Sequence, residues 1–212
     1  RNGTVETAGA DAKSEVFGGI SYGGHTTEKN TVKVNRSGGT IDHVYGAKTA
    51  GLAGGSNENK VAVEKTGTGE VKNVYGGFVE KAANGADVTK NEVTIQGGKV
   101  TGDVYGGYAD AVPGAGIAAA TDNTIDLYKA TISGVLYGGA AKDSANNTVA
   151  NGTGNTLSVR SFGAQAGDVT GVQNLHFYIP AGTTGASAAA SGAMLTLNNV
   201  THDLNASGEK DL

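Results

Sequence analysis

The sequence predicts an all-β chain, a parallel β-solenoid of about six coils closed by a C-terminal capping segment. Three observations predict it. A four-residue phrase recurs as Val16-Phe17-Gly18-Gly19, Val44-Tyr45-Gly46-Ala47, Val74-Tyr75-Gly76-Gly77, Val104-Tyr105-Gly106-Gly107 and Leu136-Tyr137-Gly138-Gly139, its aromatic residues 28, 30, 30 and 32 positions apart. A second phrase keeps the same beat: Asn30-Thr31-Val32-Lys33-Val34, Asn59-Lys60-Val61-Ala62-Val63, Asn91-Glu92-Val93-Thr94-Ile95, Asn123-Thr124-Ile125-Asp126-Leu127 and Asn155-Thr156-Leu157-Ser158-Val159. Within both phrases β-branched residues alternate with polar ones, the period of a half-buried strand rather than of a helix.

The fullest copy of the unit runs from Asn91 to Gly107. Val93 and Ile95 define the inner face of its first strand. Val100, Gly102 and Val104 fall on one face of the next segment, and Thr101, Asp103 and Tyr105 on the other. The polar pair marks that second face as outward and places Tyr105 outward with it. Gly97-Gly98 and Gly106-Gly107 are read as corners that supply positive φ. A single unit of three short strands cannot bury its valines alone, so units must stack in parallel. Equivalent residues then form ladders. Phe17, Tyr45, Tyr75, Tyr105 and Tyr137 make an outward aromatic ladder, and Asn30, Asn59, Asn91, Asn123 and Asn155 an amide ladder. At about 4.8 Å per coil, six coils give a rod on the order of 30 Å long. The segments between copies, Lys48–Glu58, Phe78–Lys90, Tyr108–Asp122 and Ala140–Gly154, vary in length and are read as surface loops.

Residues 1–165 hold the repeat coils, and residues 166–212 a terminal coil and cap within the same solenoid domain. Asn2-Gly3-Thr4-Val5 is a degenerate repeat, which suggests a piece of a longer protein. Ala166–Gly171 echoes Gly97–Gly102. Val172–Ile179 and Met194–Leu197 are read as strands, while Ala186–Ala190 is equally compatible with one helical turn.

Composition narrows the function classes. Glycine supplies 36 of the 212 residues without a G-X-Y period, so collagen is excluded. The net charge of −4 and scattered Lys and Arg argue against nucleic acid or an anionic membrane as partner. With no cysteine, disulfides and thiolate metal sites are ruled out. No apolar run is long enough for a membrane-spanning helix.

The pattern N-x-V-x-I-x-G-G-x-V-x-G-x-V-Y-G-G at Asn91–Gly107 resembles the repeats in passenger domains of Gram-negative autotransporters, the type V secretion adhesins. Val172–Pro180 followed by Met194–Asn198 looks like the segment that closes such a repeat region ahead of the outer-membrane barrel. The resemblance covers nearly the whole chain. It implies a right-handed parallel β-helix displayed on the cell surface and anchored through the outer membrane. It also implies a role in adhesion, aggregation or virulence, and a C-terminal β-barrel in the full-length chain.

No catalytic motif is found: there is no G-x-S-x-G elbow, H-E-x-x-H or Walker loop. The Gly pairs precede no helix, so they are not phosphate loops. Gly97–Asp103 has the wrong spacing for a calcium-binding nonapeptide. The one polar column, Glu15, His43, Asn73 and Asp103 ending at Val135, puts its two carboxylates about 14 Å apart, too far for a paired acid and base. His25 and His202 read as loop residues and His176 as a strand residue, none with a partner at ligand spacing. The expectation is therefore a non-enzyme with no catalytic, cofactor or metal site. It is a surface adhesin or stalk segment binding a host-cell or bacterial surface protein or glycan through loops and solenoid faces. Tyr45, Tyr75, Tyr105 and Tyr137 are the candidate binding face. The alternatives are self-association between cells and, less favoured, a polysaccharide-degrading β-helix enzyme.

Overall fold

The computed structural model describes residues 2–5, 14–35, 38–51, 54–64, 68–82, 86–111, 119–143, 145–184 and 192–200. It is an all-β parallel solenoid of about five stacked turns, close to the number the repeat predicts. One wall is a seven-stranded sheet built from Asn2–Val5, Thr31–Val34, Lys60–Val63, Glu92–Ile95, Thr124–Leu127, Thr156–Val159 and Asn174–Phe177, every pair parallel and in register. Val32, Val61, Val93, Ile125, Leu157 and Leu175 are therefore opposite one another from coil to coil.

The second wall carries the tyrosine phrase. In the early coils it is continuous, as Thr40–Ala50 and Glu70–Ala82. Later it splits into Lys99–Val100 and Val104–Ala111, then Thr131–Ile132 and Val135–Lys142. Register explains the split. Val71 and Val74 lie opposite Val100 and Val104, so the later coil holds one extra residue between its two inward positions. Gly102 lies in that insertion, and the side chain of Asn73 crosses the place where its Cβ would be.

The central coils each send at least four side chains into one continuous aliphatic core, for example Val93, Ile95, Val100 and Val104, or Ile125, Leu127, Ala130, Ile132 and Leu136. These residues are almost wholly buried. Burial of this kind stabilises by about 25 cal/mol per Å² of apolar surface.

The intervening segments are not simple loops, which corrects the sequence reading. The strand continues past Gly46-Ala47, Gly76-Gly77 and Gly106-Gly107 as far as Ala50, Ala82 and Ala111. It then returns through Ser56–Asn57, Val88–Thr89 and Ala120–Thr121, short strands linked coil to coil. Between outgoing and returning chain lies a second, smaller core of Val79, Ala86, Val88, Ala109, Ala120 and Ala141. In the earlier coils the same compartment holds hydroxyls, with Thr27 bonded to Thr49 at 2.8 Å and Thr49 donating to the Gly55 carbonyl at 2.8 Å. The repeat is thus a core coil plus a side arm with its own interior. The last arm differs: Thr148–Ala150 turns back antiparallel onto Ala140–Lys142 and covers an edge that the next coil leaves unpaired.

The asparagine ladder forms the partition between the two cores. Each side-chain oxygen accepts two bonds from the preceding coil, one from the backbone N–H and one from the amide of the previous asparagine. Asn91 does both to Asn123 at 3.0 Å, and Asn30 to Asn59, Asn59 to Asn91 and Asn123 to Asn155 repeat the pattern. This packing also accounts for Gly106-Gly107. They do not have positive φ, unlike Gly97 at 106° and Gly98 at 83°. They are small because a Cβ on Gly107 would lie 2.8 Å from the Asn123 amide nitrogen and 2.9 Å from Val88. The positive φ falls instead on the residue before each asparagine: Lys29, Glu58, Lys90 and Asp122 at 55–56°, and Gly154 at 72°.

In the last coil Gln173 takes the place of the next asparagine, its Oε1 accepting from the Asn155 N–H at 3.0 Å. That coil carries no side arm. Asp168–Thr170 pairs with Val135–Tyr137, so the segment matches Gly102–Gly106 rather than Gly97–Gly102, and Thr170 stands at the tyrosine position. Asn174–Phe177 and Leu195–Leu197 are its other strands, as the sequence suggested. Ala186–Ala190 and His202 lie outside the described residues.

Candidate functional site

Alternation past each inward valine drives Phe17, Tyr45, Tyr75, Tyr105 and Tyr137 to the outside of the second wall, where they form an unbroken column. Ring centroids are 4.9, 4.9, 4.8 and 4.9 Å apart and the ring planes lie within 10° of parallel. The column is not the open stripe the sequence implied. Tyr45, Tyr105 and Tyr137 are only 5–7% exposed. The cause is the arm. Across the glycine pair the next residue points the same way, so Phe78 and Tyr108 form a second stack, 5.2 Å apart, edge-on to the first. Lys48 occupies the same position one coil earlier and lies over the rings of Tyr45 and Phe78. The rings pack as a third small core with Ala140.

Burial raises the phenol pKa of Tyr45, Tyr75 and Tyr105 well above the ordinary value, by desolvation first. The Asp103 carboxylate adds to this for Tyr105, whose hydroxyl donates to Asp103 Oδ2 at 3.0 Å. Glu15 plays the equivalent part for Tyr45.

The polar column beside the rings is in register, Glu15 opposite His43 and His43 opposite Asn73. It works as a second amide-type ladder. The Asp103 N–H donates to Asn73 Oδ1 at 2.8 Å, and the Val135 N–H to Asp103 Oδ1 at 2.8 Å. Val135 does not end the column: Asp168 lies opposite it and is buried. Asp168 is hidden in the sequence because Ala166–Gly171 echoes Gly97–Gly102, the other half of the repeat from the one it pairs with.

The first wall presents the contrasting exterior. Its outward side chains are partly exposed and carry ion pairs between coils: Lys60–Glu92 at 2.6 Å, Lys33–Glu64 at 2.7 Å and Arg160–Asp126 at 2.8 Å. The Asp126 hydrogen bond raises the Arg160 pKa further. Arg160 also lies 4.4 Å from the Tyr178 ring centre, pinning the start of an apolar segment, Phe177-Tyr178-Ile179, that stands exposed at the end of the rod. His176 lies exposed on the last strand beside Tyr178, and His25 is exposed between strands.

Among the described residues no group of three or more His, Asp or Glu side chains is placed to hold a metal ion, and no helix is long and apolar enough to cross a membrane. The class the fold defines is the parallel β-solenoid. No family model, no curated protein and no solved structure matches the chain.

Proposed function

We propose that the chain is a segment of a surface-displayed bacterial adhesin or stalk of the autotransporter type, binding a host-cell or bacterial surface protein or glycan. In this reading the full-length chain continues into an outer-membrane β-barrel. The observation that carries the proposal is the division of each repeat into a fixed coil and a stacked side arm. The terminal coil forms without an arm, in 18 residues from Asn155 to Gln173 against 32 from Asn123 to Asn155, so the arm is not needed to build the rod. It is an addition at one corner, where segments of different length and composition are held on a rigid scaffold, the arrangement that suits recognition. With Tyr45, Tyr105 and Tyr137 covered and Tyr75 partly buried, contact falls to the arms and to the polar exterior of the first wall.

The test is to remove residues 108–121, so that one central coil takes the armless form. The variant is then compared with the parent for binding to a panel of glycans and cells. Retained β circular dichroism with lost binding is the expected result. An armless variant that folds and binds unchanged would sink the proposal.

A further inference from the structure

Five stacked rings are more than a stiffening device. Each neighbouring pair in the Phe17–Tyr137 column is near-parallel with ring centroids 4.8–4.9 Å apart, the spacing of offset-stacked rings and short enough for an electron to pass from one to the next. The column also has what a neutral phenol needs to give up an electron, namely a base for the proton. Tyr105, ringed by Tyr75, Tyr137 and Tyr108, donates its hydroxyl to Asp103 Oδ2 at 3.0 Å. Asp103 is held in place at its other oxygen by the Val135 N–H.

We propose that the aromatic column is a one-electron oxidation site and relay, centred on the Tyr105–Asp103 pair. The oxidant is a radical of the peroxyl or carbonate class. It takes one electron from the stack and is reduced to its anion. The Tyr105 O–H bond breaks as the proton passes to Asp103 Oδ2, leaving a neutral tyrosyl radical beside a protonated carboxyl group. The reverse step, an electron from a thiol or ascorbate-class reductant with return of the proton from Asp103, restores the phenol. Burial supports the assignment in two ways. It makes the ionised phenolate unfavourable, so electron and proton must leave together. It also keeps the radical away from a second molecule, with which an exposed tyrosyl would couple. Tyr22, 77% exposed, has no such shelter.

The test is photo-oxidation of the whole chain with tris(bipyridine)ruthenium and persulfate, read by electron paramagnetic resonance after freeze-quenching and by peptide mapping of oxidised tyrosine. Two near-isosteric variants are compared, Tyr105→Phe, which keeps the stack, and Asp103→Asn, which keeps an oxygen for the Val135 N–H. Circular dichroism confirms their fold. The parent is expected to give a tyrosyl signal that Tyr105→Phe removes. Asp103→Asn should lose that signal and shift oxidation to Tyr22. The proposal is overturned if oxidation of the parent follows exposure, at Tyr22 and Tyr178, or if the column radical forms in equal yield in either variant.

Discussion

Two kinds of column along this rod obey opposite rules. In one the same residue repeats: tyrosine on tyrosine outside the second wall, and asparagine on asparagine in the buried partition beside it. In the other the sign alternates, with Lys29, Glu58, Lys90 and Asp122 at the positive-φ corner, Lys60 against Glu92 on the first wall, and Lys99 against Glu70 and Lys72 against Asp42 on the second. Parallel in-register stacking places equivalent side chains one strand spacing apart, about 4.8 Å. A ring or an amide is its own best partner at that distance, since the amide has both donor and acceptor. A charge is its own worst, with repulsion on the order of 1 kcal/mol even when well solvated. The repeat is therefore strict where a side chain attracts its copy and degenerate where it repels it.

That contrast can be broken at measurable points. Tyr105→Ala removes two parallel stacks and the edge contact with Tyr108 from a buried site, and a loss of about 4 kcal/mol in urea unfolding is expected. Asn123→Ala leaves the Asn91 backbone N–H and amide without their acceptor in a buried partition. About 3 kcal/mol should be lost, whereas Asn123→Gln should recover part of it, because Gln173 fills the same role at the ladder's end. On the first wall, Glu92→Lys opposite Lys60 should cost only about 1 kcal/mol or less, and added salt should erase the difference. Lys90→Gly should act in the other direction, raising stability by about 0.5–1 kcal/mol, because it relieves a left-handed backbone while leaving Asn91 in place.

The aromatic wall also predicts a pH signature. The phenols of Tyr45, Tyr75 and Tyr105 titrate higher in the folded chain than in the unfolded one. Their contribution is then complete below about pH 10, the unfolded phenol value, and is lost as pH rises from there toward the folded values. The urea midpoint should fall above that pH. Titration followed at the phenolate absorbance should show these rings ionising together with unfolding.

Residue by residue, the aliphatic ladder was legible because Val61, Val93, Ile125 and Leu157 recur at one phase of a period-2 pattern. The asparagine ladder was legible because a buried amide stacks only on itself. The arms were not legible as structure. Their strands are two or three residues long on the return side, and apart from Val79 and Val88 their interior is alanine and threonine, too little to give a hydrophobic signal above that of a loop. Tyr108 reads as a loop residue for the same reason, which hides the cover over Tyr105. The left-handed corners were hidden by chemistry: Lys29, Glu58 and Lys90 are poor markers of positive φ, and only Asp122 and Gly154 in that column hint at it.

The sequence by itself determined that this chain is a parallel solenoid, how the residues of its two repeated phrases stack from coil to coil, and which face of those strands is apolar. Those are consequences of periodicity, and periodicity survives in one dimension. Only the tertiary structure decided whether an outward face meets solvent. The Val-Tyr-Gly-Gly phrase sends its tyrosine out of the main core in every coil. Whether that ring is a binding surface or a buried column depends on what the arm lays beside it. That is set by the path of chain beyond the glycines, where backbone hydrogen bonds between coils, rather than side-chain pattern, hold the fold.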